Sequence, residues 1–271
     1  MSQVQKITKY CAMALAIFLT VNILGLIFMG IVAIGNLFYS DEKDVLTDKL
    51  EVVDISGNSF TDLEIETVSV NIIIKESDDF KVETNNKYIK LNERGNKLKI
   101  EEEKHIFTNT ISSLVIYVPR DTLFNDISIE SGAGKVEINS LTAREVSLDL
   151  GAGKVDIDNL VVIDEADIDG SAGAIVINNG NINNLDLDMG VGKLTMMAQV
   201  TGRGDIDAGV GECDITLVGS KADYRIKVNK GIGNVLVGGD NVENNTYYGS
   251  GSNTILIDGG VGNIDIKFTL E

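Results

Sequence analysis

The chain has 271 residues, and 44% hydrophobic content over that length supports a sizeable core, while 28 glycines against one proline and no tryptophan exclude a proline-rich disordered or collagen-like polymer. The formal net charge is −18; two of the 23 basic residues, Lys6 and Lys9, precede the first acid, Asp41, so the rest of the chain sets 21 bases against 41 acids. Such a surface repels phosphate, which excludes nucleic acid as a partner and holds the domain off anionic lipid headgroups.

Residues 1–10 read as a short cytoplasmic N-terminus. Residues 11–38, CAMALAIFLTVNILGLIFMGIVAIGNLF, carry no charge. About 20 apolar residues cross a bilayer, so the run is long enough to span as one transmembrane helix with some tilt. Lys6 and Lys9 lie before it and Asp41, Glu42 and Asp44 after it. The positive-inside rule then places the N-terminus in the cytoplasm and the remainder outside, in a single-pass cell-membrane protein. Ala33-Ile34-Gly35 is a small-x-small triplet that raises cleavage after Gly35 as an alternative. A cleaved signal has an apolar core of about 7–15 residues, and this one is longer, which favours an uncleaved signal-anchor.

Residues 39–48 read as a linker, and 49–120 as an irregular β region that begins or caps the domain beyond it. VSVNIII, FKVET, KLKIEEE and SSLVIYVP alternate or run apolar, with breaks at Asp78-Asp79, Asn85-Asn86 and Arg94-Gly95-Asn96.

Residues 121–271 are repetitive. A Gly-x-Gly phrase recurs at Gly132 and Gly134, Gly151 and Gly153, Ser171 and Gly173, Gly190 and Gly192, Gly209 and Gly211, Gly231 and Gly233, and Gly260 and Gly262. The first five start 19, 20, 19 and 19 residues apart, and the next gap is 22. GSNTILI from Gly251 reads as a degenerate copy before the last. Apolar residues stand three before each first corner position (Ile129, Leu148, Ile168, Leu187, Ile206, Val228), four after it (Val136, Val155, Ile175, Leu194, Cys213, Val235) and six after it (Ile138, Ile157, Ile177, Met196, Ile215, Val237). Alternation with polar residues marks strands with one buried face, and the glycines supply tight corners. One coil is then strand, corner, strand and a loop such as Asp158-Asn159-Leu160. Two short strands cannot bury an apolar face alone, so successive coils stack, and the expected fold is an all-β parallel solenoid preceded by the membrane helix.

The feature most suggestive of chemistry is an acidic ladder. Two residues before successive corners stand Glu130, Asp149, Asp169, Asp188, Asp207 and then Asn229; four before stand Asp167, Asp186 and Asp205. Stacked at about 4.8 Å, like charges repel by roughly 1 kcal/mol per pair in water. Lys135, Lys154 and Lys193 are candidates to relieve this, and Ca²⁺ on Asp149, Asp169, Asp188 and Asp207 is another. The offset of Asp in GAGKVDID does not match the known Ca²⁺-binding solenoid repeat, so a solvated acidic face is the plainer reading and no cofactor is expected. No phrase supplies a third glycine at nucleotide-binding spacing before a helix. Arg203-Gly204-Asp205 spells an integrin-type tripeptide at a plausible loop position. His105 is the only histidine, which argues against a zinc site or a His-based triad. Cys11 falls in the apolar run and Cys213 in a repeat, so no disulfide framework is present and Cys213 reads as a small core residue.

SSLVIYVPRD, from Ser112, followed by serial strand–GxG–strand units after one N-terminal membrane helix, resembles the bacterial "putative adhesin" family of β-strand-repeat proteins over about Leu50 to Leu270. The resemblance implies a β-solenoid ectodomain at the cell envelope, with some relatives tied to envelope-stress systems of Gram-positive bacteria. It implies no enzyme activity and no established site residues. The expectation is a non-catalytic, membrane-anchored envelope protein that presents an acidic solenoid to proteins or cell-wall polymers, with no small-molecule substrate. The alternatives are a Ca²⁺-stiffened adhesive stalk and a polysaccharide-acting β-helix enzyme.

Overall fold

The computed structural model describes residues 46–57, 59–103 and 112–270. The segment 11–38, with Cys11, and His105 lie outside the described residues. Among the described residues no helix is long and apolar enough to cross a membrane.

The described chain is almost entirely extended. Its strands are β1 (Leu46–Val53), β2 (Asp62–Ser77), β3 (Lys81–Asn86), β4 (Ile89–Arg94), β5 (Lys97–Glu102), β6 (Ser112–Pro119), β7 (Phe124–Ile177), β8 (Gly180–Ser220), β9 (Tyr224–Asn229), β10 (Val235–Val237), β11 (Asp240–Asn241), β12 (Thr246–Tyr248) and β13 (Asn253–Leu270). β1 therefore reaches back into the stretch read as linker. β7 and β8 are long because each runs without a break through more than one coil.

Coils pair in parallel and in register. Ala166–Asp169 lies on Leu185–Asp188, and Ile175–Ile177 on Leu194–Met196. The two apolar positions after each corner and the one before it are buried in every coil, from Ile129, Val136 and Ile138 to Ile257, Ile264 and Ile266. Residues 19 or 20 apart thus share one dry interior, as the period required. The inner coils contain a third inward-facing segment, however, where the sequence suggested only a loop. Leu160–Val162 pairs with Gly180–Ile182, and Leu141, Leu160, Val162 and Ile182 are buried. These phrases are too short to show a period of two, so their leucines looked like loop residues.

The corner glycines are needed for stacking as well as turning. At Gly192 φ is +155°, and an added Cβ would lie 1.7 Å from the carbonyl oxygen of Gly173 in the coil beside it. At Gly262 φ is +148° and the corresponding distance, to Gly211, is 1.6 Å. Backbone therefore rests directly on backbone along the corner, which leaves no room for a side chain pointing along the stack.

Both ends of the stack depart from chain order. At the C-terminal end β13 pairs in parallel with β8 on one side and with β9 and β10 on the other. The Gly260 corner lies between those of Gly209 and Gly231, although it comes last in the chain. The corner of Gly231 and Gly233, which chain order would set on Gly209 and Gly211, is thereby displaced outward by one coil. Gly233 rests on Gly262, whose carbonyl oxygen would lie 1.7 Å from an added Cβ. This corner also differs from the others in form. Gly233 is not within a strand: it sits in a bend between β9 and β10, where Ile232 makes a single parallel bridge to Val261. The inner corners have a coil to pair with on each side, which holds them extended; this one pairs with the Gly260 coil alone.

GSNTILI is consequently not a separate repeat: Ile255 and Ile257 form the first strand of the Gly260 coil, in register with Gly204 and Ile206. The N-terminal end repeats this arrangement in reverse. β2 pairs in parallel with β7 on one side and with β5 and β6 on the other. Antiparallel strands cover both outer rungs: β4 on β5 and β3 on β6 at one end, β12 on β9 and β11 on β10 at the other. β1 then pairs with β3. Each cap is the chain segment between an inner and an outer rung, folded back over the edge that would otherwise be open.

Candidate functional site: an acidic groove at the glycine corners

Alternation sets the geometry of the ladder. Leu187 and Met189 point inward, so Asp188 between them must point out; Asp149 lies likewise between Leu148 and Leu150, and Asp169, Asp207 and Asp258 each follow a buried isoleucine. Parallel register then sets like against like. Asp169 pairs with Asp188, Asp207 with Asp258, and Asp167 with Asp186. Asp258, unassigned from sequence, extends the row where the repeat count pointed to Asn229. Asn229 is the next residue out, and its side-chain amide donates to the Asp258 carboxylate.

Asp149, Asp169, Asp188, Asp207 and Asp258 form one wall of an open groove of about 610 Å³, floored by corner residues including Gly190, Gly209 and Gly260. Glu130, one coil beyond Asp149 in the same row, pairs with Glu66 on its other side and lines a separate hollow with Glu66 and Glu101 at the N-terminal end. Among the described residues no basic side chain lines the groove. The lysines expected to neutralise the row point to the strand after the corner: Lys135 pairs with Glu137, Lys154 with Asp156 at 2.7 Å, and Lys193 with Asp214 at 2.8 Å. A lysine three residues past the corner lies on the far side of the turn, next to the outward acids of its own strand. Among the described residues the row is left without a cationic partner. Partial burial first, and the neighbouring carboxylates second, push the Asp188 and Asp207 carboxyls above the usual range, and Asp167 shifts the same way.

No group of three or more His, Cys, Asp or Glu side chains among the described residues is arranged to hold a metal ion. Cys213 is buried four residues past its corner, and burial pushes its thiol up to about 11, so it behaves as a core residue and not as a nucleophile. Arg203-Gly204-Asp205 is not in a loop. It belongs to β8 in register with Thr254–Leu256, Gly204 is buried, and the Arg203 guanidinium is closed on Asp205 at 2.6 Å.

A second row escaped the sequence reading. The middle residue of the corner is alanine at 152 and 172, then Val191, Val210, Val261 and Ile232 in stacking order. These four are 57%, 48%, 47% and 74% exposed. Ala172 pairs with Val191, Val210 with Val261, and Val261 with Ile232. The signal was present as the change from GAG to GVG and GIG, but the phrase drew attention to its glycines.

Residues 60–255 match the Toastrack DUF4097 family model, and the chain belongs to that family. No curated protein matches it. Among solved structures it is similar to a "putative adhesin" of Bacteroides fragilis, at 19% identity over 81% of this chain and 98% of that one with a TM-score of 0.41. It is likewise similar to a "putative cell adhesion protein" of Clostridium sporogenes, at 20% identity over 83% and 100% with a TM-score of 0.32. A third is a "putative lipid binding protein" of Parabacteroides distasonis, at 14% identity over 81% and 98% with a TM-score of 0.40.

Proposed function

We propose that the protein is a non-catalytic component of the cell envelope. Residues 11–38 anchor it in the membrane with the N-terminus in the cytoplasm, and the solenoid stands outside as a binding surface for envelope proteins or cell-wall polymers. The observation that carries this reading is the row of four stacked aspartates, Asp169, Asp188, Asp207 and Asp258, kept outward with no cation from the described residues against it. A row of like charges costs stability, and the core pattern does not call for it. Membership of the Toastrack family and the uncharged 11–38 run agree with a surface role. An accessory part in envelope-stress signalling is consistent with that placement. A groove that cut polysaccharide would bring a basic residue beside the acids, and this one has none.

Chemical crosslinking in the native membrane tests the reading. The expected result is that the full chain fractionates with membranes and crosslinks to specific neighbours outside them. Recovery in the soluble cytoplasm without neighbours would overturn it. The second reading, a Ca²⁺-stiffened stalk, would draw on the same row of carboxylates, although no three of them among the described residues are arranged around a common ion. Calorimetric titration of the protein with Ca²⁺ decides it: absence of both heat and thermal shift removes it.

A further inference from the structure

We propose that the C-terminal half of the corner is a docking surface for a cationic amphipathic helix of a partner protein. The inference rests on the surface-protein reading and names the chemistry of the partner. Two parallel rows carry it. Val191, Val210, Val261 and Ile232 form an exposed aliphatic ridge, and Asp188, Asp207 and Asp258 form a carboxylate row three residues earlier in the same coils. Between them the floor includes the backbone of Gly190, Gly209 and Gly260 beside Met189 and Ala208, and the glycines let a partner approach closely. Exposed valines and an isoleucine stacked in four consecutive coils contribute nothing to the core. The ridge fades to Ala172 and Ala152 in the coils that precede it, so the surface has a defined end.

Spacing selects the secondary structure of the occupant. Coils repeat at about 4.8 Å, and a helix returns a side chain to one face every ~5.4 Å. Over three steps the mismatch is about 2 Å. A strand lying along the stack repeats every ~6.7 Å and would be out of step by about 6 Å. A helix with aliphatic side chains at i, i+3, i+4 and i+7 therefore follows the ridge, and a flank of Lys or Arg meets the aspartates. The same aspartates repel anionic lipid headgroups, which favours a protein over a bilayer as the occupant.

The probe is a synthetic helical peptide of about 18 residues with a leucine stripe and a lysine flank. Its binding to the full chain in neutral detergent is compared with that of a scrambled peptide of the same composition, polylysine, and phosphatidylcholine vesicles. The striped peptide is expected to bind at least tenfold more tightly than the scrambled one. Val210→Ser/Val261→Ser is expected to weaken it about tenfold. Asp188→Asn/Asp207→Asn is expected to weaken it similarly and to flatten its salt dependence. Thermal melts of both variants confirm that they fold. Equal binding of the striped peptide, scrambled peptide and polylysine, insensitive to the valines, overturns the proposal in favour of charge alone; preferential binding of vesicles overturns it in favour of lipid. A photo-crosslinker at Val210, with one at Asn139 as control, separates the two levels of inference. Neighbours captured in the native membrane only from Asn139 sink the helix-docking site and leave the surface-protein reading intact. Capture from neither sinks both.

Discussion

The N-terminal rungs and the regular coils bury the same kind of face and treat their outward charges in opposite ways. Across β2 and β5, Glu64 meets Lys97 and, at 2.7 Å, Lys99; Lys99 also holds Glu66 at 2.6 Å. The two lysines hold the Glu64 carboxyl down at about 2. In the coils from Ala166 onward outward positions set aspartate against aspartate, and the carboxyls of Asp188 and Asp207 shift upward. Inward, Leu63 and Ile65 of one region and Leu187 and Ile206 of the other are equally dry. Stacking therefore fixes the inward residues and leaves the outward rows free. Where a free row is left un-neutralised across four coils, a use outside the fold is the economical explanation.

If inward stacking carries the stability, the largest effect comes from deleting Asn253–Glu271. This removes Ile255, Ile257, Ile264 and Ile266 from the core, worth roughly 6–12 kcal/mol at about 1.5–3 kcal/mol each. Hydrogen exchange should show β8, β9 and β10 losing protection while β2 and the start of β7 keep it, because coils depend mainly on their neighbours. Uniform loss along the stack would contradict a neighbour-by-neighbour structure.

Next in size is Gly192→Ala. The added methyl meets the Gly173 carbonyl and forces a strained φ, so about 3 kcal/mol or more should be lost. Thermal denaturation should fall by about 10 °C. Glu64→Gln should cost less, about 1–2 kcal/mol, because the side chain is only 20% exposed and loses two charged partners.

The smallest effect is also the sharpest contrast, since the two regions should respond to acid with opposite signs. Glu64 has a depressed folded pKa, so its contribution is complete above its ordinary value of 4.5 and disappears as pH falls toward about 2. Asp167, Asp188 and Asp207 have raised folded pKa values, so protonation favours the folded state. Their repulsion is relieved as pH falls from neutral through those raised values toward the ordinary aspartate range. A urea titration against pH should show stability rising slightly on mild acidification and falling below it. Asp188→Asn should flatten the first limb and Glu64→Gln the second.

The interior was legible in the sequence because Ile129, Leu148, Ile168, Leu187 and Ile206 repeat at one offset from their corners and period-two alternation has few other solutions. The order of the last coils was not legible. GIGNVLV and GVGNIDI carry equivalent corners and alternate alike, so either could sit on the Gly209 coil. The choice is made by the turn segment 238–252, which covers β9 and β10 and returns β13 to the inner place. A spacing of 29 residues from Gly231 to Gly260, in place of 19 or 20, is the trace this leaves. In the site, the positions of the aspartates were readable and their lack of partners was not. Lys135 and Lys154 sit five residues beyond Glu130 and Asp149, and which side of the corner they serve depends on backbone geometry that spacing does not carry.

Melting of Asp188→Asn/Asp207→Asn at neutral pH and low salt puts the aspartate row to the most direct test. Midpoints equal to or a few degrees above that of the parent are predicted, because the fold loses a repulsion it never needed. A clear drop would mean that the carboxylates hold the stack together, through a bound cation or otherwise, and would remove the reason for assigning them to a partner.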